Sequence, residues 1–209
     1  MSDQTTKPSR HMGFTELVFS DLQVYRPNES PTWPRVLARC LVLPGLAAGV
    51  LLRAQQHLFE SGQVRLAFLL RIVGVVMFSA DFFPGAQVGA SLYLPHPMGV
   101  TIGGGLQIGN SVTILQGVTA GILHPTSSPP GERTVICDGA IVCANAVLVG
   151  EVRVGRNALV GANSVVLSDV PDSAVVFGIP ARQSGATDSD SPMSPRAAYI
   201  ERIIRESSP

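Results

Sequence analysis

The stretch ICDGAIVCANAVLVGEVRVGRNALVGANSVV, residues 136–166, repeats with a period that is neither the two of a strand nor the 3.6 of a helix. Its period is six: Ile136, Val142, Leu148, Val154, Val160 and Val166 are all aliphatic. The phase after it (Cys137, Cys143, Val149, Gly155, Gly161, Leu167) and the next (Asp138, Ala144, Gly150, Arg156, Ala162, Ser168) are mixed. One obligatory aliphatic residue in six, among small or polar neighbours, describes a short strand and a turn whose apolar side chain points into a narrow interior. Three such units close a triangular coil. Stacked coils pair their strands in parallel at about 4.8 Å, so backbone groups are satisfied between coils. The period leaves the sense of winding open, and a left-handed one would breach the usual right-handed crossover rule.

Working outward, the same hexads run upstream from Val88 through Leu94, Ile102, Ile108 and Ile114. Two places break phase. Val100 and Thr101 read as extra residues after the hexad that holds His96, and Ala120 to Val135 does not fit whole hexads. Residues out of phase must leave the coil, so 122–133 (ILHPTSSPPGER) reads as an extruded loop, in keeping with its Pro, Ser and Gly content. Residues 14–80 differ in texture, with Leu51, Leu52, Gln55, Gln56, Leu58 and Phe59 at helical spacing, Pro31, Pro34 and Pro44 as breaks, and Glu60-Ser-Gly62 as a turn. The expected organisation is a disordered leader over 1–13, a helical domain over 14–80, a mainly β domain of hexapeptide coils over 81–185 and a disordered tail over 186–209 that carries a short helix from Pro195 to Glu206.

Composition excludes several classes. Fifteen basic residues balance fifteen acidic ones and only 14% of the chain is charged, so the footprint of a nucleic-acid binder is missing. The apolar runs 41–52, bounded by Arg39 and Arg53, and 66–80, interrupted by Arg71, are shorter than the ~20 residues of a membrane span. Cys40, Cys137 and Cys143 form no CxxC pair, which argues against zinc and against a disulfide framework and points to a reducing cytoplasm. The polar first residues lack the apolar core of a secretory signal.

The segments DFFPGAQVG (81–89), LPHPMGVTIG (94–103) and ILQGVT (114–119), followed by VGANSVV (160–166) and GIPAR (178–182), resemble serine acetyltransferase and its relatives, down to the interruption beside His96. The resemblance spans roughly residues 40–182. It implies a left-handed parallel β-helix, a homotrimer that is in some members doubled to a hexamer through the N-terminal helices, and acetyl-CoA held in a groove between coils at an active site shared by subunits. It places a catalytic base on His96 and its carboxylate partner on Asp81, fifteen residues earlier. The chemistry agrees with that pair: a neutral imidazole takes the proton of a weakly acidic hydroxyl as it attacks the thioester, and a carboxylate on the other ring nitrogen sets the tautomer. For acetyl-CoA the matching positions are Gly121 at the loop root, Ala144 and Ala162 on the coils, and Arg182; no metal is implied.

His124, in Leu-His-Pro of the loop, resembles the Thr-His-Pro segment of sugar acetyltransferases, so it is an alternative base or lines the acceptor site. The acceptor positions depart from the family. The acidic residue usual before the base is Pro95 here, the loop ends in Glu132-Arg133-Thr134, where Arg133 could meet a carboxylate, and the helical-domain acid falls on Ser30 or Glu29. L-serine is the first expectation for the acceptor and a sugar, polysaccharide or secondary-metabolite hydroxyl the second. A non-catalytic trimeric scaffold that presents its helices to a partner is a reading of another class. The zinc-dependent anhydrase built on the same prism needs three histidines, and only His96 and His124 fall in this one.

Overall fold

A computed structural model of the chain describes residues 12–121 and 133–186. Four helices come first: α1 (Phe14–Tyr25), α2 (Trp33–Cys40), α3 (Pro44–Glu60) and α4 (Val64–Phe78). Pro34 and Pro44 occupy first-turn positions of α2 and α3, where a missing N–H costs nothing. Gly62, at φ +80°, turns the chain between α3 and α4. Met12 and Gly13, assigned to the leader by composition, are placed, and Gly13 caps α1 with its N–H donating to Glu16.

From Asp81 the chain winds through short strands, β1 (Asp81–Phe82), β2 (Gln87–Val88), β3 (Thr101–Ile102), β4 (Gln107–Ile108), β5 (Thr113–Ile114), β6 (Thr119–Gly121), β7 (Val135–Ile136), β8 (Ile141–Val142), β9 (Val147–Val149), β10 (Arg153–Val154), β11 (Leu159–Val160), β12 (Val165–Val166), β13 (Ala174–Phe177) and β14 (Arg182–Ala186). They form three sheets, ordered β1-β3-β6-β9-β12, β2-β4-β7-β10 and β5-β8-β11-β13-β14. The fold is a left-handed parallel β-helix preceded by a helical domain. Its interior is a continuous column that includes Phe82, Ile102, Ile114, Ile136, Val142, Leu148, Val154, Val160 and Val166, each at most 1% exposed. The uniformly aliphatic phase is therefore the inward one, and each such side chain contributes about 1.5–3 kcal/mol by leaving water.

Register shows where the coils are irregular. Regular partners are eighteen residues apart, as Thr101↔Thr119 and Ile141↔Leu159. Asp81↔Thr101 and Gln87↔Gln107 are twenty apart, while Thr119↔Val147 and Gln107↔Val135 are twenty-eight apart, which places ten additional residues in the segment holding 122–132. The two extra residues beside His96 are not Val100 and Thr101. Val100 is fully buried in the column and Thr101 opens β3, so five residues (95–99) separate the inward Leu94 and Val100, where three separate Ile108 from Val112. The insertion enlarges the corner that carries His96. At the other end, β14 runs antiparallel to β13 and Ala186, assigned by composition to the tail, pairs with Ala174. The tail helix over 195–206 and most of the extruded loop lie outside the described residues.

The helical domain closes the open end of the prism, where first-coil backbone groups have no preceding coil to bond. Arg53 of α3, buried completely, forks onto both Asp21 oxygens at 2.9 and 3.0 Å and donates to the carbonyls of Val88 and Gly89 at 2.6 Å each. Asp21 of α1 accepts from Leu92 N at 2.8 Å, Ser20 Oγ accepts from Ser91 N at 3.0 Å, and Tyr25 OH donates to Leu94 O at 2.7 Å. A bare edge thus becomes a capped one. Arg53→Met would leave a buried carboxylate without its counter-charge and take the donor from two carbonyls, and a loss of about 3–5 kcal/mol is expected, read as a lowered urea midpoint; an unchanged midpoint would show that the cap is dispensable.

Candidate active site

The enlarged corner lies between the sheet of β5 and that of β1. Its column can be followed coil by coil through backbone bonds of 2.9 Å: Gly117 N donates to Met98 O, Asn145 N to Gln116 O, and Asn163 N to Ala144 O. One left-handed residue marks each level, Gly99 (φ +72°), Gly117 (φ +70°), Asn145 (φ +58°) and Asn163 (φ +57°). Small or amide residues are required there, because a left-handed backbone disfavours other side chains and the levels touch. A Cβ on Gly117 would sit 2.0 Å from Asn145 Oδ1, and one on Gly99 3.3 Å from the Gly117 Cα.

His96, Ala144 and Ala162 therefore share one edge of the prism, with His96 exposed, Ala144 half-buried and Ala162 exposed. The chain returns to this edge at its upper end: Gly178 N donates to Ser164 Oγ at 3.2 Å, Val165 N to Gly178 O at 3.0 Å and Ala181 N to Val165 O at 2.8 Å. Arg182 follows directly and is exposed. Four coil steps of ~4.8 Å separate the His96 level from the Arg182 level, or about 20 Å along the edge. Gly121 sits one corner away, across the sheet of β1; it packs flat on Gly103, where a Cβ would come within 3.0 Å of the Gly121 Cα. Arg133, exposed, is where the chain re-enters the coils. His124 falls outside the described residues.

Asp81 is brought beside the His96 turn by backbone bonds on both sides, Asp81 N to Val100 O and Gly99 N to Ser79 O, each 2.9 Å. Its carboxylate, however, is taken by Arg71 of α4, with Nε at 2.5 Å from Oδ1 and Nη2 at 2.7 Å from Oδ2. Among the described residues no hydrogen bond joins His96 to Asp81, so the direct link implied by the family resemblance is not formed in the single chain. Arg71 in turn lies 5.0 Å from the centre of the Phe83 ring, which meets Phe68 edge-on at 5.4 Å. The carboxylate pushes the guanidinium's pKa up, chiefly through the hydrogen bond. The pair is about a third exposed (31% and 34%), a setting in which an ion pair adds little to stability.

Sequence reasoning missed Arg71 and Phe83. The only available signal was a single charge inside the otherwise apolar run 66–80, ten residues before Asp81. Glu29, a candidate acid of the helical domain, is held by Arg39 at the edge of a shallow cleft lined by Asn28, Ser30, Arg35 and Ala38. Among the described residues no cluster of three or more His, Cys, Asp or Glu side chains could hold a metal, and no helix is long and apolar enough to cross a membrane.

A three-sided β-helix of hexapeptide coils is the fold of the hexapeptide-repeat transferases, and comparison with known proteins narrows it. No protein-family model matches. The chain is 36% identical over 173 residues to serine acetyltransferase of Escherichia coli K12, covering 82% of this chain and 62% of that one. It is 38% identical over 157 residues to serine acetyltransferase of Bacillus pumilus, covering 68% and 71%. Among solved structures, a serine acetyltransferase in complex with cysteine matches with TM-score 0.71 and 32% identity over 82% of this chain and 70% of that one, and the Neisseria gonorrhoeae serine acetyltransferase with 0.72 and 32% over 89% and 70%. A serine acetyltransferase in complex with CoA matches with 0.69 and 30% over 82% and 69%. This chain belongs to the serine acetyltransferase family. It spans less than two thirds of the length of the E. coli relative, 62%.

Gly99→Ala should expose how far the corner depends on its backbone. The left-handed φ and the contact with Gly117 together make a loss of about 1–2 kcal/mol the expected result, measured by thermal unfolding, and an undiminished midpoint would mean that the turn tolerates another conformation.

Proposed function

We propose that the chain transfers the acetyl group of acetyl-CoA to a hydroxyl, with L-serine as the first acceptor, and that His96 is the base. The observation that carries this reading is the enlarged corner: the two extra residues put an exposed imidazole on a corner of the prism, at the foot of an edge of small side chains that leads up to Arg182. Pantetheine fits such an edge because Ala144 and Ala162 let an extended chain lie against the coils, Gly121 leaves room at the neighbouring corner, and Arg182 supplies a cation for a phosphate. That relatives have been solved with CoA and with cysteine supports an acyl-CoA and amino-acid site in this family.

In the proposed step, the acceptor hydroxyl gives its proton to the neutral imidazole of His96 as its oxygen bonds to the thioester carbon. The tetrahedral intermediate then collapses, the C–S bond breaks, and the imidazolium returns the proton to the CoA sulfur. Such base catalysis contributes about 10²–10⁴-fold. Asp81, whose N–H bonds to Val100 at the end of the His96 turn, is the carboxylate within the same corner that would steady the imidazolium once the ring turns to it. Assembly as a homotrimer, or a hexamer through the helices, is supported by the apolar surface that one chain leaves open: α4 buries only Ala67 and Gly74, whereas Leu69, Ile72, Val76 and Met77 are 55–77% exposed. Three free thiols support a reducing cytoplasm.

A sugar or other neutral hydroxyl is the second reading, favoured by one observation. Pro95 stands before His96, and Glu29 is already paired with Arg39, so neither position offers a free carboxylate for an α-ammonium. Release of CoA thiol by purified protein, measured against serine, homoserine and sugars, is expected to be fastest with serine; preference for a sugar would establish the second reading. His96→Ala should lower the rate by at least ~10² and His124→Ala by less, and the reverse order would move the base into the loop. Ala162→Trp, which fills the edge, should raise KM for acetyl-CoA at least about tenfold, equivalent to some 1.4 kcal/mol. A chain whose melting is unmoved by millimolar CoA would instead be the scaffold.

A further inference from the structure

Among the groups beside the His96 corner, Arg71 is held from two sides at once, by a carboxylate and by an aromatic ring. Arg71 meets Asp81 through a side-on fork at 2.5 and 2.7 Å, its guanidinium rests on the Phe83 ring, and that ring is held edge-on by Phe68, one turn before Arg71 on α4. Phe83 lies close over Gly104, where a Cβ would come within 2.8 Å of the ring. The C-cap of the same helix, Ser79, accepts the Gly99 N–H and so supports the His96 turn. One helix therefore delivers the cation that grips Asp81 and the carbonyl that anchors the corner.

We propose that Arg71 is a positioning residue for the Asp81–His96 pair, setting which face of the carboxylate is offered to the imidazole and tempering the charge that the imidazole feels. It rests on the reading of those two residues given above. A carboxylate has about four lone-pair sites, and a side-on guanidinium occupies one on each oxygen. The remaining sites point away from the fork, so a ring N–H approaching from the side of the 95–99 turn finds an acceptor of fixed direction. A free aspartate would rotate. The charge matters as well, because a nearby anion favours imidazolium, which cannot act as the base. With a guanidinium on the far side of Asp81 that pull is weakened. Of the elements packed on β1, α4 presents Arg71 to the carboxylate and β3 presents the uncharged Thr101.

The test uses the full chain and acetyl transfer from acetyl-CoA, comparing Arg71→Met, Arg71→Lys, Asp81→Asn and His96→Ala. For Arg71→Met, kcat should fall about tenfold with KM for acetyl-CoA within about twofold, and the acid limb of kcat/KM should move to higher pH by about half a unit. Arg71→Lys, which keeps the charge and loses the fork, should return the limb to its original position while kcat stays severalfold low. A purely structural role would not separate the limb from kcat in this way. Unchanged kcat and limb in both Arg71 variants, with Asp81→Asn and His96→Ala strongly impaired, would remove Arg71 and leave the pair standing. Full activity of Asp81→Asn would remove the pair and Arg71 together. If the Met variant does not fold, the Lys variant decides: a lowered kcat with an unmoved limb supports the assignment, and an unaltered kcat overturns it.

Discussion

Hydrogen bonding between successive coils is the constraint from which the rest follows. Each strand finds its partner one turn of the prism later, and in the regular coils that partner is eighteen residues on. A chain under such a rule can accept extra residues only at a corner, because an insertion within a strand would break its register with the coils on either side. The two departures are of this kind. One enlarges the corner bearing His96, and the other opens the coil after Gly121. The rigid repeat does no chemistry itself, but it gives the enlarged His96 corner a fixed place on a known edge.

Two arginines join the helical domain to this prism, and they differ in kind. Arg53 is wholly buried and satisfies the unpaired end of the first coil, so its role is to complete a backbone ladder that otherwise has no partner. Arg71 is a third exposed and grips a carboxylate beside the candidate base. Desolvation explains the difference: a charge removed from water must have every donor used, as Arg53 does, whereas a charge at the rim is free to direct a neighbour. The helices are thus a cap for the coils and a support for the corner.

Much of the architecture was legible in the residues. The six-residue beat identifies the coils and their inward phase, the broken phase marks both irregular places, and of the prolines that read as breaks Pro34 and Pro44 prove to stand in the first turns of α2 and α3. The extra pair was put at Val100 and Thr101, because a linear count of hexads shows that residues are surplus without showing which ones leave the coil. Burial of Val100 decided that. Arg53 reads only as the boundary of one apolar run and Arg71 as an interruption of another, since a lone charge has no visible partner until another element, α1 with Asp21 for one and β1 with Asp81 for the other, is folded against it.

The sequence by itself determined the period, the coil and the family, and it singled out the hexad of His96 as irregular, because all of these are properties of residues near one another along the chain. Tertiary structure alone decided that Ala144, Ala162 and the approach to Arg182 stand on the histidine's own edge, and that Asp81 is turned toward a guanidinium. Those facts depend on how many residues each coil consumes and on which helix lies against its first turn, and local chemistry carries no record of either.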